Sequence, residues 1–158
     1  MSKALKYFVF ICFVLLFLNG CRSDGPAVDL FQYKDSYVGD NSAVSHIIER
    51  LQKADKAKGF ELETKTEPYG MLLNYEPLAS IEESRDVAIY NATFIFALVQ
   101  NADWVKFDFG EKEYEFTKEE LEEWYGEELN EFTNEVKLRA LIQEKIDDEE
   151  KVAELLER

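Results

Sequence analysis

Residues 80–102 read SIEESRDVAIYNATFIFALVQNA, and the fold turns on whether they form a strand or a helix. Val87, Ile89, Thr93, Ile95 and Val99 are β-branched and favour a strand. The apolar run is nevertheless too long for one, since strands span about 4–8 residues and helices begin near 10–12. Length predicts a helix. Ser80 with Glu83 offers a capping box, with a start nearer Asp86 as the alternative, and Asn101 and Ala102 lie near its end. A helix apolar on most sides belongs at the centre of a domain, packed across a sheet. Asn91-Ala92-Thr93 within it has the form of a glycosylation acceptor, which we expect to go unused.

Working outward, each flank of this helix reads as a hairpin. On the C-terminal side Val105, Phe107 and Phe109 alternate with Trp104, Lys106 and Asp108, Gly110 to Lys112 turn the chain, and Tyr114 and Phe116 answer between Glu113 and Glu115. On the N-terminal side Phe60, Leu62 and Thr64 alternate with acids and Lys65, Pro68 and Gly70 mark a turn, and Met71, Leu73 and Tyr75 form the second strand before Pro77. Val44, Ile47, Ile48 and Leu51 recur at helical spacing, predicting a first helix that starts after Asp40 or Asn41 and ends near Lys53. Thr117 and Glu120 form a second capping box for a third helix that Gly126 ends. The expected class is therefore α+β: helix, hairpin, helix, hairpin, helix, with about four antiparallel strands and the helices on one face. Residues 131–158 are expected to add a charged C-terminal helix to the domain of residues 30–130.

The first 29 residues have a different character. Lys3 and Lys6 precede an apolar run from Tyr7 to Leu18, followed by Asn19, Gly20 and Cys21. A basic start, a short hydrophobic segment and a small residue make a signal peptide over residues 1–20, too short to cross a bilayer as a mature helix of about 20 residues. Leu18-Asn19-Gly20-Cys21 has the form of a lipobox, so Cys21 is expected to be lipidated, with palmitate-like acyl chains as the membrane anchor. Residues 21–29, rich in Ser, Asp, Gly and Pro, read as a tether.

The whole chain of 158 residues carries a net charge of −15, and removal of residues 1–20 brings this near −17. So acidic a surface repels phosphate backbones and anionic headgroups, which excludes nucleic-acid binding and leaves acyl chains to hold the membrane. Chemistry is sparse. His46 is the single histidine and reads as a solvated helix residue; Cys12 falls in the discarded segment and Cys21 goes to lipid, so no metal site and no cofactor is expected. The sequence contains no nucleophile elbow and no phosphate loop. Asp35, Asp40 and Asn41 lack the order of an EF-hand and read as turn and helix cap. Tyr37, Asp40, Asn41, Tyr69 and Tyr75, on or beside turns, form the candidate recognition surface.

Residues 33–42 (YKDSYVGDNS), Glu67-Pro68-Tyr69-Gly70, Asn74-Tyr75-Glu76-Pro77 and Asn91-Ala92-Thr93 leading to Asn101-Ala102-Asp103 together resemble an uncharacterised family of Gram-positive exported lipoproteins bearing a domain of unknown function. The resemblance covers Phe31 to Asn130. It implies a lipid-anchored extracytoplasmic domain and supplies no catalytic residue. The expected function is a non-catalytic binding or regulatory domain on the outer face of the cell membrane, meeting an envelope protein or a cell-wall component. The alternatives are a carboxylate-dependent envelope hydrolase and a calcium-responsive surface domain.

Overall fold

The computed structural model describes residues 29–157. The expected signal peptide, Cys21 and all of the expected tether except Asp29 lie outside the described residues. We label the helices α1 (Asn41–Ile48), α2 (Ile81–Leu98), α3 (Lys118–Tyr125), α4 (Glu135–Ile146) and α5 (Glu149–Leu156), and the strands β1 (Ala57–Glu63), β2 (Gly70–Tyr75), β3 (Trp104–Asp108) and β4 (Glu113–Thr117). None of the described helices is long and apolar enough to cross a membrane.

The decisive stretch is a helix, as its length predicts. Ser80 caps α2 by accepting the Glu83 amide, and from Val87 to Leu98 every residue is buried. Burial on all sides follows from position. The sheet covers one flank, and α4 with the short turns Leu30–Tyr33 and Leu129–Glu131 covers much of the rest.

The sheet has the order β1-β2-β3-β4, and here one expectation is corrected. β1–β2 and β3–β4 are antiparallel hairpins, but β2 and β3 run parallel. An 18-residue helix is about 27 Å long, enough to carry the chain from one end of β2 back to the other, so β3 sets off in the same direction. The registers align two apolar rows beneath α2: Leu62, Met71, Val105 and Phe116, then Phe60, Leu73, Phe107 and Tyr114. On the opposite face the rows are Glu61, Leu72, Lys106 and Glu115, then Glu63, Gly70, Trp104 and Thr117.

Two helix boundaries also differ from expectation. α1 stops at Ile48, not near Lys53, because the buried Asn91 side chain takes both the amide and the carbonyl of Gln52, at 3.0 and 3.1 Å. Lys53 then turns with a φ of +56°. The charged C-terminal segment is two helices. Asp147 ends α4, and Asp148 caps α5 by accepting the Lys151 amide. Leu138, Ile142, Val152 and Leu155 bury the inner faces of this pair, and the bidentate Arg85–Glu149 contact at 2.8 and 3.0 Å ties α5 to α2.

Inside this core sit two polar side chains with no exposure, Asn91 and Thr93. Asn91 also donates to the Tyr75 hydroxyl at 3.2 Å, while Thr93 shares a hydrogen bond with the Tyr125 hydroxyl at 2.9 Å and donates to the Ile89 carbonyl. Among the described residues no buried side-chain polar atom is left without a partner. The Asn-Ala-Thr triplet is therefore structural fastening, closed to any glycosylating enzyme in the folded chain.

Candidate functional site

The parallel register sets Gly70 beside Trp104 on the outer face of the sheet. The indole lies across the glycine: a Cβ added at Gly70 would come within 2.3 Å of its Cδ2 and Cε2 atoms. Only glycine leaves that space. The indole Nε1–H donates to the Pro68 carbonyl at 3.2 Å, which fixes the ring from its edge. Backbone stitching holds the surroundings. The Tyr69 amide donates to the Asp103 carboxylate at 2.6 Å, the Asp103 amide to the Tyr69 carbonyl at 2.8 Å, and the Lys118 amide to the Asp103 carbonyl at 2.9 Å. The end of the first hairpin, the start of β3 and the start of α3 thus meet at one corner.

At that corner is an open groove of about 1120 Å³, floored by Trp104, Tyr69 and Pro68 and bordered by Thr117 and the first turns of α3. Its walls carry Glu67, Asp103, Glu115, Glu119, Glu122 and Glu123 against the single cation Lys118. Several of these acids have work in the fold. Asp103 holds Tyr69, and Glu122 accepts the Leu129 amide at 2.9 Å with Lys118 Nζ 3.9 Å away. The Glu67 and Glu119 side chains have no ion pair or hydrogen bond among the described residues. On the same sheet face, Lys106 is paired with Glu113 at 2.6 Å, and that hydrogen bond holds its ammonium above the usual lysine range.

The residues expected to form the recognition surface are not gathered in one place. Tyr69 lines the groove. Tyr37 is 54% exposed and does not line it, although its segment is tied to the rim: the Val38 amide donates to Asn101 Oδ1 at 2.8 Å, and Asn101 is a lining residue. Asp40 caps α1 by accepting the Ala43 amide at 3.0 Å, and Asn41 is the first residue of that helix. Tyr75 is 2% exposed, so it belongs to the core and is corrected out of the surface. Its inward alternation with Met71 and Leu73 outweighs its nearness to the Pro77 turn. The residue that sequence reasoning missed is Trp104, although its alternation with Val105 already put it on the solvated face. A lone indole among Lys and Asp was the signal.

His46 stacks on Tyr33 at 5.7 Å and lies 3.4 Å from Glu49, on the exposed side of α1. Among the described residues no group of three or more His, Cys, Asp or Glu is placed to hold a metal ion. Burial pushes the Glu135 carboxyl upward, with the neighbouring Asp29 adding to the rise and the hydrogen bond from the Leu30 amide at 2.9 Å opposing it.

A family model described as a domain of unknown function, DUF4825, matches residues 30–119, more than half of the chain. All the residues lining the groove except Glu122 and Glu123 fall within that stretch. No curated protein and no solved structure matches the chain.

Proposed function

The chain belongs to the DUF4825 family, and we propose that it is a binding domain that performs no chemistry of its own, held by acyl chains on Cys21 at the outer face of a Gram-positive cell membrane. The reading of place rests on the basic start, the short apolar run and the Leu18-Asn19-Gly20-Cys21 lipobox. The reading of role rests on one observation. Trp104 is an aromatic side chain on the solvated face of a sheet, bedded on a glycine and held at its nitrogen, with a groove above it. Preorganised aromatic floors of this kind lower the cost of ordering a ligand or partner. The carboxyl that burial raises, Glu135, is engaged with the Leu30 amide and is not among the residues that line the groove. The partner is an envelope protein or a cell-wall component.

The test uses the full-length protein in its native host, with a photocrosslinking residue placed at Glu119 in the groove or at Glu154 on the exposed side of α5. A defined adduct from Glu119 that is absent from Glu154, and is lost when Trp104→Ala removes the indole, is expected. Equal labelling at both sites, or none at either, overturns the assignment. The Cys21→Ala protein should leave the membrane fraction, and its retention there would remove the anchor from the account.

A further inference from the structure

We infer that the occupant of this groove is an extended, arginine-bearing segment of a partner protein, an inference that rests on the groove being a binding seat. Charge sets the sign of the ligand. Six acids to one cation line the groove, whereas the whole chain has 33 acids to 18 basic residues, so the excess is concentrated there beyond what composition supplies. Phosphates and other anions are repelled from such a cleft, and cations are drawn in.

The floor selects among cations. One face of the indole is used up by Gly70 and its N–H by the Pro68 carbonyl, which leaves the ring's other face as the contact surface over the groove. A planar guanidinium is weakly hydrated and stacks on such a face more readily than a compact, strongly hydrated ammonium. Glu67 and Glu119, free of partners within the described chain, then present carboxylates to the guanidinium fork. Size argues for a chain segment over a small cation. At about 1120 Å³ the groove exceeds the roughly 300–1,000 Å³ of ordinary small-molecule pockets. It is also open, and it runs between a strand end and a helix.

The experiment uses full-length protein in a neutral detergent and a fluorescein-labelled peptide of four Gly-Arg repeats, followed by anisotropy at low and high salt. The Gly-Arg peptide should bind several-fold more tightly than its Gly-Lys counterpart, and both should weaken with salt. Glu67→Gln with Glu119→Gln should weaken binding at least about tenfold, the scale expected when a close charge pair is lost. Glu154→Gln with Glu157→Gln, the same change in net charge made outside the groove, should alter it less than about twofold. Equal losses from the two pairs would reduce the effect to overall charge and overturn the inference. Binding of a glucosamine tetramer at the Glu119 site without any binding of the peptide would also overturn it, while leaving the groove as a seat for a wall component. Failure of every probe alongside a specific Glu119 crosslink in cells overturns the arginine assignment and not the binding domain.

Discussion

The two flanks of α2 are held by opposite means. On the inside, the fully buried Asn91 and Thr93 reach from an apolar helix to Tyr75 and Tyr125 in the core, and Asn91 also holds the backbone of Gln52 at the core's edge. At its N-terminal, wetter end the helix is held by ion pairs, Glu83 with Lys53 at 2.6 Å and Arg85 with Glu149 at 2.8 Å. The inner contacts are made by short buried side chains, the outer ones by long side chains of which Lys53 and Glu149 reach well into solvent. In a low-dielectric interior an unmade hydrogen bond costs the whole desolvation of the group left behind, whereas an exposed pair trades one hydrated state for another. Stability should therefore follow the inner pair and respond only weakly to the outer one.

The largest effect is expected from Asn91→Leu. It orphans the Gln52 amide and carbonyl and one bond to the Tyr75 hydroxyl, and should cost about 3 kcal/mol in denaturant unfolding. A loss under about 1 kcal/mol would break the contrast. Alkali should show the next effect. Burial pushes the Tyr75 hydroxyl up to about 12, with the Asn91 hydrogen bond opposing, and burial raises Tyr125 as well. An unfolded tyrosine loses its proton near pH 10, so the folded state binds that proton more tightly. The contribution is thus complete below about pH 10 and is lost as pH rises through about 12. Absorbance at 295 nm should show a late class of tyrosines ionising together with unfolding, reduced by one in Tyr75→Phe.

The smallest effect belongs to Glu149→Gln. Arg85 holds the Glu149 carboxyl below the usual carboxylate range by hydrogen bonding and charge. A depressed folded value means a contribution present above the ordinary Glu range near pH 4.3 and lost as pH falls through the folded value. Glu149→Gln should lower the melting midpoint slightly at neutral pH and low salt, and the difference should vanish in strong salt or acid. A persistent large drop would move this contact into the same class as Asn91.

Much of the chain was legible from residue order because its signals are local. The Thr117 and Glu120 capping box, the αL glycine at Gly126 and the alternation of both hairpins depend on neighbours a few positions apart, and all are present. The parallel pairing of β2 with β3 was not legible. It is set by where a long helix sets the chain down, and nothing in either strand's own sequence records it. The early end of α1 has the same origin, since the competitor for Gln52 stands 39 residues away. The groove was half legible: Tyr69 stood in the expected recognition surface and Trp104 on the solvated side of its strand's alternation, but the register that joins Gly70 to Trp104 was not in view.

The chain enters the fold at Leu30, whose amide is clasped by Glu135 at the head of α4, and soon afterwards Ser36 pairs with the backbone at Leu98 and Gln100 beyond the helix. Mechanical load arriving through the preceding residues therefore falls first on a carboxylate latch and a short parallel bridge, in series and ahead of the sheet. Tugging would peel this selvedge before it deformed the seat at Trp104. Under the anchoring proposed at Cys21, load from that end is taken up before it reaches the groove at Trp104.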